Sequence, residues 1–113
     1  MCLQALTNII FLLVLNKTSF YPDDCLVGDG ASYRGPTSTT QKGVTCQKWS
    51  LQSPNPHIYW TQDNRDNRGI GDHNNCRNPD GELRPWCITT DPGEQWDYCD
   101  IPTCQTTQSG EMI

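Results

Sequence analysis

Seven cysteines in 113 residues limit what this chain can fold into more than anything else in it. One of them, Cys2, stands at the head of an apolar N-terminal stretch. The others are Cys25, Cys46, Cys76, Cys87, Cys99 and Cys104. At this length there is room for one domain and no second core. Only 35% of the residues are hydrophobic, and nine Gly and eight Pro interrupt any long helix or strand. So low an apolar content leaves backbone ordering poorly offset, and covalent staples make up the difference. A cysteine density of this kind belongs to an oxidising compartment, where disulfides persist.

The N-terminus agrees with that compartment. Leu3 to Leu15 is mostly apolar and densest from Ile9 to Leu15, too short to span a bilayer and placed where a secretory signal stands. No Lys or Arg precedes the run. Residues 1–20 are therefore expected to be a signal peptide cut between Thr18 and Tyr21; a mispredicted first exon is the alternative. Removing the leader removes Cys2 and leaves an even six, as a fully paired framework requires. The sequon Asn16-Lys17-Thr18 stands beside the expected cut. The mature chain is expected to be secreted, extracellular and monomeric, without membrane insertion. The formal charge is −5, and loss of Lys17 makes it −6. Nucleic acid, heparin and anionic membranes call for a basic patch, so basic ligands are favoured instead.

Cys25 to Cys104 forms the expected domain, followed by a polar tail over 105–113. Helical periodicity is absent, and alternating strand patterns are short. Turn signals recur at Gly28-Asp29-Gly30, Arg34-Gly35-Pro36, Lys42-Gly43, Ser53 to Pro56, Asn78 to Gly81 and Asp91-Pro92-Gly93. The expected fold class is small and disulfide-rich, mostly loops and turns with short β-hairpins around a three-disulfide core. Six cysteines allow fifteen pairings, and spacing does not choose among them.

Several segments carry a resemblance: Cys25-Leu-Val-Gly-Asp-Gly-Ala-Ser-Tyr-Arg-Gly35, Gly43-Val-Thr-Cys-Gln-Lys-Trp49, Cys76-Arg-Asn-Pro-Asp-Gly81, Pro85-Trp-Cys87, Thr89-Thr-Asp-Pro92 and Trp96-Asp-Tyr-Cys-Asp-Ile-Pro-Thr-Cys104. Over Cys25 to Cys104 the chain resembles a kringle, most like those of plasminogen and apolipoprotein(a). The resemblance implies bridges Cys25–Cys104, Cys46–Cys87 and Cys76–Cys99, the last two crossing near a centre of aromatic side chains with Trp49 buried. The family's usual Leu and Tyr before the third cysteine are Gly71 and Asn75 here, and Ile70 is the candidate to fill the Leu place. The polar loop from Ser53 to Asn74 is expected to be mobile and atypical.

A lysine side chain offers an ammonium on an apolar stem, so its receptor needs carboxylates and flat apolar walls. Asp80 and Glu82, two apart in one turn, can both face one cation. Trp86 and Trp96 flank neighbouring cysteines, and indole faces suit methylenes and cations alike. The resemblance maps the anionic pair onto Asp80 and Glu82 and the aromatic trough onto Trp86, Ile88, Trp96 and Tyr98. Ile88 stands where Tyr or Phe is usual. The positions matching the cation that clamps a ligand carboxylate hold Gln95 and Thr61, neither charged. The bland alternative is a solvated Asp-Gly-Glu turn beside core tryptophans.

The leading expectation is a non-catalytic module binding a protein with exposed lysines. A structural or decoy single-kringle fragment of a mosaic protease or growth factor, without its own ligand, is the alternative. Catalysis is not expected. His57 and His73 stand alone in loops, His57 matching a common structural histidine of the family. Asp80 and Glu82 lack the cleft a glycosidase pair needs. The cysteines lack zinc-site spacing, and neither metal nor cofactor is expected.

Overall fold

The computed structural model describes residues 24–104. The expected leader with Cys2 and the sequon at Asn16, and the tail 105–113, lie outside the described residues.

Disulfides join Cys25 to Cys104, Cys46 to Cys87 and Cys76 to Cys99, the pairing the resemblance implies. The first ties the domain's ends across a sequence separation of 79, beside a parallel bridge between Leu26 and Thr103. The other two cross at the centre, where Cys46 Sγ lies 3.9 Å from Cys76 Sγ. Closing loops of this size removes denatured-chain entropy equivalent to about 3.5–4.5 kcal/mol per bridge in the chain-entropy model. That is comparable to the whole stability of a small domain.

Aromatic rings surround the sulfurs. Trp49 is fully buried, and Tyr33 and Trp86 pack with Leu26, Ile70, Ile88 and Ile101 in the same core. Ile70 thus enters the core beside the third cysteine, as expected of it. So small an apolar core is completed by buried polar side chains, which find backbone partners, as burial demands. Among the described residues, Asp97 Oδ2 is the only buried side-chain nitrogen or oxygen without a hydrogen-bond partner. Gln47 donates to the carbonyls of Leu51 and Asn55 and accepts from Asn55 N–H. Asn55 donates in turn to the carbonyls of Thr89 and Asp91. The Arg77 guanidinium donates to the carbonyls of Gly35, Cys76 and Gly69. Burial, with Arg34 nearby, lowers its pKa to about 10, so it remains charged at neutral pH.

The regular structure is slight. Strands β1 (Trp86–Ile88) and β2 (Trp96–Tyr98) pair antiparallel, with Trp86 opposite Tyr98 and Ile88 opposite Trp96. Both are rich in aromatic or β-branched residues that suit a pleated surface. The Asp91-Pro92-Gly93 turn between them closes through Glu94 N–H to Asp91 O, with Gly93 N–H to the Asp91 carboxylate. Arg77 and Trp86 exchange two backbone hydrogen bonds, which lays the segment after Cys76 along β1.

The segment 53–74, polar and without a helical period in the sequence, contains α1 (Gln62–Asn67). Thr61 Oγ1 caps it by accepting from Asn64 N–H, the usual role of Thr at an N-cap. Asp63 accepts from Asn67 and Arg68 along one face. Gly69, just past the end, has φ +82, and a Cβ there would meet the Arg34 guanidinium at 2.8 Å. Six residues are too few to show a helical period, which is why none was visible in the sequence.

Candidate functional site

The turn after Cys76 is built by Asn78. Its buried side chain donates to the carbonyls of Asp29 and Glu82 and accepts from Glu82 N–H. Gly81 supplies the left-handed φ of +79 that lets the chain reverse between the two acids. Asp80 and Glu82 therefore stand beside β1 on a braced turn.

The cross-strand register puts Trp86, Ile88, Trp96 and Tyr98 on one face of the hairpin. Trp86 and Trp96 meet edge to face at 5.7 Å. With Asp80 and Glu82 they line a pocket of about 500 Å³. Tyr98 stands behind the lining: its hydroxyl donates to Glu82 at 2.8 Å and its ring packs against Trp96. Ile88 is a correction. It shares the face but is only 2% exposed, packed in the core rather than on the pocket wall. An aliphatic side chain of this length ends inside the domain.

The rest of the wall is a segment that sequence reasoning passed over: Pro56, His57, Ile58 and Tyr59. It hangs on the Gln47–Asn55 network described above. His57 Nδ1 accepts from Tyr59 N–H, so Nε2 carries the proton and donates to Leu51 O. Tyr59 packs edge to face on Trp86 at 4.9 Å, and its hydroxyl donates to Asp80 at 3.1 Å. Trp86 Nε1 donates to the other Asp80 oxygen. Thr61, read as the alternative far-end position, caps α1 and is not in the lining; Tyr59 and Ile58 occupy that wall. Gln95 does line the pocket, its amide donating to Pro56 O.

Electrostatically the pocket is one-signed. None of its lining residues is Lys or Arg. The ion pairs Lys42–Glu94, Lys48–Asp72 and Arg68–Asp63 leave Asp80 and Glu82 out. Burial, then the Asp80 charge, pushes the Tyr59 hydroxyl above its usual value. The Tyr98 hydroxyl is raised chiefly by its hydrogen bond to Glu82. Both phenols therefore stay protonated donors that aim and hold the carboxylates. Such a site can receive an ammonium between two acids and lay its stem along indole faces.

His73, the second isolated histidine, is outside the pocket. It repeats the local pattern of His57, with Nδ1 accepting from Asn75 N–H and Nε2 meeting Gly69 O. The match to known families covers the whole disulfide-bonded region: the model described as Kringle domain matches residues 25–104.

Proposed function

Because the chain belongs to the kringle family, whose members are non-catalytic protein-binding modules, we propose that this one binds a lysine side chain or a similar alkylammonium group of a partner protein. The observation that carries the reading is the convergence of Asp80, Glu82, Trp86 and Trp96 on one pocket whose lining contains neither Lys nor Arg. The domain's work is recognition rather than chemistry. Oxidised cysteines are typical of extracellular proteins, and secretion after removal of the leader belongs to the same reading.

Affinity follows from the contacts. An ammonium against two partly solvated carboxylates contributes on the order of 1–2 kcal/mol. Cation–π and stem packing add roughly 1–3 kcal/mol. The sum corresponds to a dissociation constant on the order of a millimolar. Gln95 and Tyr59 offer no charge to a ligand carboxylate, so alkylamines are expected to bind about as well as zwitterionic amino acids of equal length. Chain-interior lysines are likewise favoured over C-terminal ones.

The test is titration with pentylamine, followed by tryptophan fluorescence. Saturable quenching or enhancement is expected, and Asp80→Asn is expected to abolish it without unfolding the domain. No response, with no retention on lysine-agarose, would instead support a structural module without its own ligand.

A further inference from the structure

The lysine reading leaves one part of the pocket without a task. Ile58 lines the pocket yet is 82% exposed, the most exposed of the large hydrophobic side chains among the described residues. It sits between two anchored rings. His57 is bonded through both ring nitrogens, and Tyr59 is bonded to Asp80 and packed on Trp86. The segment carrying Ile58 is thus held at the pocket mouth, and the side chain itself is left in water. Pro56 and Trp96 are also exposed lining residues, Trp96 at 41%. A bare alkylammonium seated between Asp80 and Glu82 has no second apolar group with which to cover this rim.

Resting on the lysine reading, we infer that the partner is a peptide segment whose lysine is directly preceded or followed by an apolar residue that packs on Ile58 and the adjoining rim. Charge complementarity fixes the first half of the occupant, since the pocket offers two carboxylates and no lining cation. The exposed isoleucine fixes the second. Covering a few methyl and methylene groups on each side is expected to raise affinity about fivefold to twentyfold.

Calorimetric titration of the disulfide-bonded domain decides it, with four probes. These are pentylamine, the acetylated and amidated tripeptide Gly-Lys-Gly, and its counterparts with Leu before or after the lysine. Pentylamine is expected to bind the parent domain, and Ile58→Ser is expected to weaken pentylamine less than it weakens the leucine peptides. At least one leucine peptide is expected to bind the parent fivefold to twentyfold tighter than Gly-Lys-Gly. That advantage should vanish in Ile58→Ser and persist in Val27→Ser, because Val27 is exposed but not in the pocket lining. Pentylamine binding without any leucine advantage, or an advantage that survives Ile58→Ser, overturns this inference alone. Failure of pentylamine to bind the parent overturns the cation site and this inference with it.

Discussion

The turn at 78–82 and the loop at 51–59 contribute to the same pocket and are held by different means. The turn lies against β1, through the paired backbone of Arg77 and Trp86, with a disulfide at each of Cys76 and Cys87. The loop has no strand or disulfide of its own. It is positioned by two buried amides, Gln47 and Asn55, that bond to backbone. Charge is divided in the same way: Asp80 and Glu82 belong to the turn, whereas Pro56 to Tyr59 are uncharged. Covalent and strand support thus falls on the half that carries the two carboxylates, beside the Asn78 side chain, whereas the other half depends chiefly on side-chain support.

The comparison breaks most severely at Trp86, which joins the two walls through its contacts with Tyr59 and Trp96 and reaches Trp49 beneath. Trp86→Ala is expected to lower unfolding free energy by about 3–5 kcal/mol, as for other buried aromatic truncations. Denaturant unfolding measures it.

Asn55→Ala tests the loop alone. Stranding the partners of a buried amide is expected to destabilise the domain by about 1–3 kcal/mol. Pentylamine affinity should fall less than in Asp80→Asn, because the carboxylate turn is untouched. Equal losses of binding in the two variants would erase the distinction between the walls.

These two walls also differed in how far they could be read from sequence. Asp80, Glu82, Trp86 and Trp96 declare themselves through short-range spacing, an Asp-Gly-Glu turn and indoles beside cysteines. Nothing comparable marks Tyr59 or Ile58. Their placement depends on Gln47 and Asn55, polar residues that composition assigns to the surface, with Asn55 bonding across 34 positions to Thr89. Thr61 was assigned to the pocket because alignment by position ignores the helix it caps. Ile88 was assigned to the trough because the hairpin face is legible, whereas the depth of a side chain on that face is not. The disulfide framework was legible only through family resemblance, fifteen pairings being open to six cysteines.

A gain-of-charge variant sharpens the comparison from the neutral side. Gln95→Arg is expected to raise affinity about tenfold for ligands with a carboxylate opposite the amine. Alkylamines should stay within about twofold. Equal improvement for both ligand classes would show that the variant acts on something other than a carboxylate clamp.

The smallest expected effect separates the two histidines. Burial lowers the His73 pKa below its ordinary value near 6.5, outweighing its bond to Gly69. The folded state therefore favours neutral His73. Its contribution is complete above the unfolded value and is lost as pH falls through the lowered folded value. Urea midpoints should decline from pH 7.5 to pH 5, and His73→Gln should flatten part of that decline. A parent domain whose midpoint is constant over this range would contradict the assignment.

The edge-to-face contacts of Trp49 with Trp86 at 5.2 Å, and of Trp86 with Trp96 at 5.7 Å, have an optical consequence. At these separations electronic excitation migrates between indoles before it is emitted. Light absorbed by the fully buried Trp49 can leave from Trp96, 41% exposed at the pocket mouth. Of the four tryptophans, Trp60 stands outside this relay, with Arg65 over its ring. Emission from the other three is therefore weighted toward Trp96, the indole among them that solvent quenchers reach. A quencher added from outside should darken the core chromophore without ever entering the core.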